Sequence, residues 1–472
     1  MLAYNPENKR SVVDYAKRLI NKTLREACES NILEHNFKGK GNFGQVLEKF
    51  YFGYEPNSNS EPDFRHIGLE LKSTPLKTLK TGEIRSKERL VLNIINYNSI
   101  VNQNFDGSDF WKKNAQLLII FFLHEPNIKI LDYTIKLVDE WGFSETDLKV
   151  IKKDWQIIRQ KIQEGKAHEL SEGDTLYLAA CTKGANAQSL RQQPHSPIPA
   201  KQRAFSLKQG YVNHIIATLA GESSIRYGKL IPSLNEFTEE SLEEIILKKF
   251  KPYYTKNVEE ISTLTGIKLN MSAKNFYSKL THAILNIDLK KEIEELAKAN
   301  IEVKTIRVEK NGQIEQSVSF PAFEFITLYN EHWITSELKE KIEKKFLFIF
   351  FKHDGSCYRL EKIKFWNMPL TDRNEVRKIW LKTKYVVQNG DVFNEYDRDS
   401  FGNIRLSIKG HKIKKNNFPK ISDSRICHVR PHGRDSTETY PLPVQDKKLN
   451  EMEYTKQCFW LNNTYVRDEI YL

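Results

Sequence analysis

One short stretch decides how this sequence is interpreted: Pro62-Asp63-Phe64-Arg65-His66-Ile67-Gly68-Leu69-Glu70-Leu71-Lys72. Apolar and polar residues alternate over 67–72, which is the two-residue period of a half-buried strand. On such a strand Glu70 and Lys72 share one face, while the leucines beside them anchor the other face in the core. Asp63 stands just before the strand, so a turn could bring its carboxylate beside that of Glu70.

These side chains suit the hydrolysis of a phosphodiester. Two carboxylates with open coordination positions suit Mg²⁺, a hard cation that also takes phosphate oxygens and water. A lysine beside them can orient the attacking water and stabilise developing negative charge. Glu48 lies upstream and is a third candidate carboxylate for the metal. The alternatives are a strand with a solvated Glu–Lys pair and an exposed helical Glu48.

Composition points to a negatively charged partner. The chain has 472 residues, a length that corresponds to about two to four domains. Its 73 Lys and Arg residues exceed its 61 Asp and Glu residues, for a formal charge of +12, which favours nucleic acid or an anionic membrane surface. The longest apolar runs, at 117–123 and 346–351, are too short to span a bilayer and indicate buried strands. We therefore expect nucleic acid as the partner and no membrane contact.

The five cysteines are scattered and form no Cys-x-x-Cys pair, so the sequence supports neither a disulfide framework nor a structural zinc site. The first residues, 1–6, carry no apolar signal segment. These features predict a reduced, cytoplasmic protein.

The sequence repeats a set of landmarks in the same order. The acid–lysine strand at 70–74 is echoed at 302–306, and the apolar strand 117–122 at 346–351. The remaining matches pair Trp155 and Gly165 with Trp380 and Gly390, and residues 205–212 with residues 459–466. This collinearity predicts that one kind of domain is used twice.

In each half the sequence pattern predicts helices first, then strands and hairpins, then helices again. This order is typical of an α/β (mixed α+β) fold. Helical stripes cover 11–28 and 148–163 in the first half. We expect domains at 1–220 and 241–472, joined by a polar linker at 221–240. A capping box, Ser241 with Glu244, starts the first helix of the second domain.

Several motifs, taken together, resemble the MutH-type nucleases. The first are Lys38-Gly39-Lys40-Gly41-Asn42-Phe43-Gly44-Gln45-Val46-Leu47-Glu48, then Pro62-Asp63, then Gly68-Leu69-Glu70-Leu71-Lys72. Lys183-Gly184-Ala185-Asn186-Ala187 and Ala204-Phe205-Ser206-Leu207-Lys208 follow in the same order. MutH is a mismatch-repair endonuclease that nicks GATC sites and is about half as long. The duplicated length, together with residues 86–97, is similar to the Sau-three-A type of restriction endonuclease. The resemblance covers the first half well and the second half loosely.

The resemblance implies a role for each matching residue. It gives Lys72 the task of positioning water, and it places another active-site lysine in Trp111-Lys112-Lys113-Asn114, where the register leaves Lys112 and Lys113 open. The implied metal-binding carboxylates are Glu48, Asp63 and Glu70. It further implies two tandem MutH-like restriction-endonuclease-fold domains, the second degenerate. The implied activity is that of a Mg²⁺-dependent type II restriction endonuclease that cuts double-stranded DNA at GATC.

The loop after residue 182 is the candidate for reading bases. Small neighbours would let the backbone around Lys183 approach a groove, where a lysine reaches guanine O6 and N7. Asn186 could hold a turn or contact a base. The basic residues expected at phosphates are Arg191, Lys201, Arg203 and Lys208. In the second half the corresponding loop carries Arg430, His432 and Arg434. The alternative is a basic surface hairpin without groove contact.

Ser206 marks a departure from the family. MutH-like nucleases carry a tyrosine there, and that position is associated with sensing adenine methylation. A serine leaves room for a methyl group, so we expect this position, a candidate DNA contact, to tolerate adenine methylation in GATC.

The second half keeps an acid–lysine strand at 302–304 but not the other acids. By count, Glu295 replaces Asp63 and Thr281 replaces Glu48. A domain of this kind should bind a second GATC site and stimulate the first without cutting. A monomer in solution that DNA bridges into a dimer fits this arrangement. The competing interpretations are a GATC-nicking mismatch-repair-type endonuclease and a non-cutting DNA-binding regulator.

Overall fold

The computed structural model describes residues 2–28, 42–56, 60–79, 81–184, 189–231, 240–267, 276–407 and 409–472. The chain divides into two units. The first unit consists of Met1–Lys249 and Thr281–Ile301, and the second of Phe250–Leu280 and Glu302–Leu472. This division differs from the expected boundaries, because the described part of 221–240 belongs to the first unit and 281–301 returns to it. The roles assigned to 1–220 and 241–472 stay predictions.

Residues up to 301 form twelve α-helices and eleven strands within the described ranges. The helices are α1 Lys9–Lys17, α2 Leu24–Ala27, α3 Asn42–Val46, α4 Tyr97–Ile100, α5 Asp109–Asn114, α6 Glu145–Gln163, α7 Gln209–Leu219, α8 Ser223–Arg226, α9 Leu242–Phe250, α10 Val258–Thr265, α11 Phe276–Ile284 and α12 Glu294–Lys298. The strands are β1 Glu70–Thr78, β2 Ile84–Ser86, β3 Leu90–Ile94, β4 Gln116–Leu123, β5 Ile135–Gly142, β6 Leu178–Thr182, β7 Leu190–Gln193, β8 Ser196–Lys201, β9 Arg203–Leu207, β10 Tyr227–Gly228 and β11 Glu292–Ile293.

The main sheet of the first unit has the strand order β2-β1-β4-β5. Strand β4 is the long apolar run of the sequence, and its central residues are buried on both faces, as expected for an inner strand beside a parallel neighbour. Strand β1 pairs with β4 in parallel, with Glu70 opposite Leu117, and β5 closes the other side of β4 in antiparallel orientation. The first residue of β1 is therefore held against an inner strand whose central residues are all buried.

A tight turn precedes β1, and it changes the predicted strand. The strand begins at Glu70 rather than at 67, because residues 65–67 form a single 3₁₀ turn. Gly68 ends this turn with φ +63°, a left-handed conformation that glycine adopts without a steric penalty. The chain then folds back, and Phe64 bridges to Leu69. This reversal brings Asp63 to the start of the strand, as the sequence predicted.

Other predicted elements differ in their bounds. The stripe at 11–28 is two helices, α1 and α2, because the chain turns at Asn21, whose φ is +65°. The helix predicted at 148–163 begins earlier, at Glu145, where the Ser144 side chain accepts a hydrogen bond from Asp147 N. The capping box of α9 is confirmed: Glu244 N donates to Ser241 Oγ at 3.3 Å, and Ser241 N donates to Glu244 Oε2 at 2.6 Å.

Residues 281–301, which we call the inserted segment, complete the first unit. Helix α12 packs against α7 so closely that a Cβ built on Gly210 would lie 1.9 Å from the carbonyl oxygen of Ala297. The Glu295 carboxylate accepts hydrogen bonds from the backbone N–H groups of Leu230 and Ile231 at 2.9–3.0 Å. Glu295 is thus committed to holding the chain near residue 230.

Residues 302–472 complete the second unit. Its further helices are α13 Phe325–Asn330, α14 Glu337–Ile342, α15 Leu370–Gln388 and α16 Asn463–Tyr465. Its strands are β12 Glu302–Val308, β13 Val318–Phe323, β14 Lys345–His353, β15 Tyr358–Asn367, β16 Phe393–Tyr396, β17 Lys414–Asn416, β18 Cys427–Pro431, β19 Thr439–Pro441, β20 Glu453–Thr455 and β21 Gln457–Leu461.

The two units share a pattern of strand pairing. Parallel pairing of β12 with β14 matches that of β1 with β4, and the antiparallel order β13-β21-β18 matches β3-β9-β6. Each unit also has a helix of 19 residues, α6 or α15. The Tyr211 hydroxyl donates to Asp147 at the start of α6, and that of Tyr465 donates to Asp372 at the start of α15. The mixed helix-and-strand class is confirmed, and the predicted duplication is consistent with this pattern.

In the part of the chain that the structure describes, no helix is both long enough and apolar enough to cross a membrane.

Candidate active site

Glu70 is the centre of the candidate site. Its side chain is 2% exposed, and burial raises the pKa of its carboxyl above the ordinary value. Its Oε1 lies 2.6 Å from Lys72 Nζ, and its Oε2 accepts a hydrogen bond from Asp63 N at 3.1 Å. In return, Asp63 Oδ2 accepts from Leu71 N at 3.0 Å. The turn before β1 is thus fastened to the strand, and the predicted grouping of Asp63, Glu70 and Lys72 is present.

Helix α5 supplies a second lysine. Lys113 Nζ lies 3.6 Å from Glu70 Oε1 and donates to the carbonyl oxygen of Glu61 at 3.2 Å. Lys113 is buried, whereas Lys112 faces solvent. The structure therefore brings Lys113, and not Lys112, to the site.

Glu48 belongs to the same cluster of charges. It lies on the π-helical turn Leu47–Tyr51 that continues α3. Burial, followed by the negative charge of Asp63, raises the pKa of Glu48 to about 7, although the ammonium groups of Lys72 and Lys113 act in the opposite direction. The basic, glycine-rich residues 38–41 upstream lie outside the described residues.

Sequence reasoning missed Tyr54. Its backbone N–H donates to the carbonyl oxygen of Glu48 at 2.9 Å, and its ring packs edge-on against Phe64 at 5.7 Å. Its hydroxyl is buried and has no hydrogen-bond partner among the residues that the structure describes. Burial, together with the charges of Asp63 and Glu48, raises the pKa of Tyr54 well above its usual range. A single tyrosine in an irregular loop gives no sequence signal, so only the tertiary structure reveals it.

The donor set fits a hard divalent cation, although no coordination shell is already assembled. Among the described residues, no group of three or more acidic, histidine or cysteine side chains is arranged around a common metal position. Both oxygens of Glu70 are engaged, one by Lys72 and the other by Asp63 N. The carboxylates of Asp63, Glu70 and Glu48 are nevertheless oxygen donors of the kind that Mg²⁺ prefers. The Tyr54 hydroxyl, which has no partner among the described residues, suits a water bound to such a cation.

The candidate DNA-reading loop of the first unit is only partly described. Lys183 and Arg191 are exposed, on either side of the segment that contains Asn186. Asn186 itself lies outside the described residues. Lys201, at the end of β8, is half-buried.

Three other predicted DNA contacts lie inside the fold. Arg203 donates to the carbonyl oxygens of Ala180 and Leu170, and Lys208 Nζ donates to those of Thr175 and Ala299. The remaining one, Ser206, is fully buried on the central strand β9. DNA contact at Arg203, Ser206 and Lys208 stays a prediction, and one that would require these buried positions to open.

The second unit presents its candidate loop to solvent. Arg430, His432 and Arg434 are all exposed at the end of β18 and in the turn that follows it. In the same unit Lys304 Nζ lies 2.7 Å from Glu302 Oε1, as Lys72 lies beside Glu70. The match to Asp63 made by count is not reproduced, since Glu295 belongs to the first unit.

Carboxylates and lysines that meet at the start of a parallel strand in a mixed sheet are typical of a phosphodiester hydrolase. The family model "DNA mismatch repair enzyme MutH" matches residues 52–154. The chain is 37% identical to the Type II restriction enzyme Sau3AI of Staphylococcus aureus, over 96% of this chain and 98% of that protein.

Two shorter relatives match part of the chain. The DNA mismatch repair protein MutH of Shewanella woodyi is 27% identical over 46% of this chain and 95% of its own length. That of Vibrio campbellii is 23% identical over 45% of this chain and 94% of its own length. The chain belongs to the MutH/Sau3AI family of restriction endonucleases. It is a type II site-specific deoxyribonuclease, which confirms the predicted family and enzyme class.

Proposed function

We propose that the protein cuts both strands of DNA at GATC in a Mg²⁺-dependent reaction. The observation that carries the proposal is the convergence of Glu70, Asp63, Lys72 and Lys113 at the start of β1. The likeness of the whole chain to a type II restriction enzyme supports double-strand cleavage over nicking by a repair enzyme.

The position of each charged side chain in the site suggests its role in the reaction. Asp63 and Glu70 would hold the cation, with Glu48 as the third carboxylate. Lys72 Nζ, which lies 2.6 Å from Glu70 Oε1, would hydrogen-bond and orient the water that attacks phosphorus. Lys113 Nζ lies 3.6 Å from the same oxygen and can neutralise the charge that develops on the phosphate. Bound Mg²⁺ would polarise the phosphate oxygens and lower the pKa of water.

The buried setting of these groups strengthens their electrostatic effect. Glu70 and Lys113 are both at least nine-tenths buried, so their interactions are screened less than those of surface charges. The reciprocal hydrogen bonds between Asp63 and the strand hold the turn in place before substrate binds. Little reorganisation is then required during the reaction, which favours catalysis.

The second unit is proposed to bind another GATC site without cutting. It retains the Glu302–Lys304 pair, but the position of Lys113 before β4 is occupied before β14 by the buried Ile342. Its exposed Arg430, His432 and Arg434 offer contacts to DNA. Binding there would raise cleavage by the first unit if DNA favours one arrangement of the whole chain. A cytoplasmic location and a monomer that DNA bridges into a dimer belong to the same proposal.

Cleavage of supercoiled plasmids tests this function. Plasmids with no, one or two GATC sites are incubated with and without Mg²⁺, and nicked and linear products are separated on agarose. Linear DNA that appears only with both GATC and Mg²⁺ supports the proposal. Accumulation of nicked circles would instead identify a strand-nicking enzyme, and retarded but intact plasmid would identify a non-cutting regulator.

A further inference from the structure

Arg430 is stacked on an aromatic ring at the exposed edge of the second unit. Its guanidinium carbon lies 3.8 Å from the centre of the Trp460 ring. The His432 ring approaches the same indole edge-on, at 5.5 Å and 70°. A guanidinium held over an indole at this distance loses part of its rotational freedom, and its N–H groups lie in the one plane of the guanidinium.

The corresponding position in the first unit is different. Trp460 is the next-to-last residue of β21 and pairs with His428, as Ser206 is next-to-last in β9 and pairs with Ala179. Arg430 is likewise next-to-last in β18, where β6 has the buried Cys181. The second unit therefore replaces two small, buried side chains with a stacked Arg–Trp pair. Arg430 and Trp460 lie on the same face of the β13-β21-β18 sheet, so the two replacements favour a common function for this pair.

Arg430 is available to a ligand. Its side chain is exposed, and within the described ranges no carboxylate forms an ion pair with it. Arg434, four residues on, lies only 3.9 Å from Glu438, and Lys456 pairs with the same carboxylate. Nothing among the described groups therefore competes with an incoming acceptor for the Arg430 guanidinium.

A cleft of about 530 Å³ adjoins the candidate loop, although neither Arg430 nor Trp460 lines it. Its walls include Pro431 and Gly433 from the candidate loop, and His411 and Lys412 from the basic run that the sequence shows at 409–420. Lys412 is a positive side chain of the kind that contacts a DNA backbone and positions a protein on the duplex.

We propose that Arg430 reads a guanine in the DNA bound by the second unit, through bidentate hydrogen bonds to O6 and N7. Trp460 is the positioning residue that holds the guanidinium plane. This inference rests on the proposed second DNA site and adds its chemistry. The second unit would then recognise guanine with an Arg–Trp pair at the positions that Cys181 and Ser206 occupy in the first unit.

The test is calorimetric titration of the full-length chain, in EDTA, with two duplexes. One contains GATC, and the other contains 7-deazaguanine in place of the GATC guanines, which removes the N7 acceptor. The wild-type chain should bind two GATC duplexes. Arg430→Ala should weaken one of the two sites by about 5- to 150-fold, the range for a lost base contact. That site should then bind both duplexes equally, so that the two changes are not additive.

Variants at neighbouring positions separate stacking from charge. Trp460→Phe keeps an aromatic face and should retain discrimination between the duplexes, whereas Trp460→Ala should reduce it. Arg434→Ala is the matched control for charge, since no ring among the described residues stacks on this exposed arginine, and it should leave the ratio of the two duplex affinities unchanged. Melting temperatures of all variants show whether β21 remains folded.

Two results would overturn the inference. If Arg430→Ala weakens binding of the GATC duplex and of the 7-deazaguanine duplex by the same factor, or leaves both affinities unchanged, Arg430 does not read guanine N7. If only one duplex binds per wild-type chain, the proposed second DNA site is wrong. The proposed contact between Arg430 and guanine is then wrong as well.

Discussion

At the scale of single residues, the sequence predicted what depends on neighbours along a strand. The two-residue period placed Glu70 and Lys72 on one face, and the structure joins them. It could not choose between Lys112 and Lys113, because that choice depends on the rotation of α5 against the sheet. Nor could it foresee the burial of Lys208, whose ammonium group is satisfied by carbonyl oxygens of Thr175 and Ala299, 33 and 91 residues away.

The two lysines of α5 give a matched pair of variants. Lys113→Ala should lower the rate of plasmid cleavage about 100-fold or more, because it removes a buried positive charge beside the reacting phosphate. Lys112→Ala, at the exposed neighbouring position, should cut at close to the wild-type rate. Both rates are measured at saturating Mg²⁺. Equal activity of the two variants would exclude a catalytic role for Lys113.

Tyr54 should show opposite effects on stability and on activity. Its buried hydroxyl has no partner within the described part of the chain, so Tyr54→Phe should raise the free energy of unfolding by about 1 kcal/mol or more. If this hydroxyl donates to a water or phosphate oxygen during the reaction, the same variant should cut more slowly. Urea unfolding and single-turnover cleavage measure the two effects. A more stable variant with an unchanged rate would show that Tyr54 is only structural.

His214 makes the first unit sensitive to acid. Burial, and then the positive charge of Lys298, lowers the pKa of His214 to about 3. Because this pKa lies below the unfolded value near 6.5, the stabilising contribution is complete above pH 6.5 and is lost as the pH falls toward 3. The loss approaches about 1.4 kcal/mol per pH unit.

Replacement of this histidine tests that dependence. His214→Phe should flatten the decline of unfolding free energy between pH 6.5 and 4, measured by urea titration at several pH values. His66→Phe, at an exposed histidine, is the control and should leave the decline unchanged. An unaltered pH profile in His214→Phe would show that other groups govern acid sensitivity.

At the scale of elements, the inserted segment is the part that sequence patterns could not place. Helix α12 has only five residues, and most of them are charged, a pattern that is typical of a solvated surface helix. In the structure Lys298 Nζ lies 3.0 Å from Asp147 Oδ1 and 2.6 Å from Glu294 Oε1, in a buried network. The contact between Lys298 and Asp147 joins residues 151 positions apart, so the local periodicity of the sequence cannot predict it.

Removal of the central cation should destabilise the first unit. Lys298→Met leaves the carboxylates of Asp147 and Glu294 buried without their partner, which typically costs about 3–5 kcal/mol. Lys290→Met, at an exposed position before α12, is the control and should change the unfolding free energy little. Both are measured by urea unfolding at pH 7.5. If Lys298→Met were as stable as the control, the buried network would not hold α12 in place.

At the scale of the whole molecule, the repeated landmarks predicted that one kind of domain is used twice, and the shared strand pairing is consistent with this. The landmarks did not indicate that residues 281–301 return to the first unit. The repeat was visible because buried strands keep their apolar runs. The boundary between the units was not visible in the sequence. A polar, glycine-containing stretch such as 221–240 resembles a linker even when it packs against a domain. In the structure its residues Leu230 and Ile231 are buried in the first unit.

The number of GATC sites should control the cleavage rate. If the second unit binds DNA and stimulates the first, a two-site plasmid should be cut faster than a one-site plasmid of equal length. A GATC oligonucleotide added in trans should accelerate the one-site reaction, while an oligonucleotide of scrambled sequence should not. Initial rates at equal enzyme concentration measure this. Identical rates on all substrates would contradict stimulation by a second site.

The inserted segment also governs how the molecule can be cut apart or recombined. A protease that cleaves once after Lys249 would leave a carboxyl-terminal piece that still contains residues 281–301, packed in the other piece. The nicked protein should elute as one species under native conditions and separate only in denaturant. The same topology constrains chimaeras: a gene in which the halves of two relatives are exchanged near residue 240 would pair each first unit with a foreign α12. Functional exchange therefore requires that residues 281–301 travel with the amino-terminal half, although the second half of the gene encodes them.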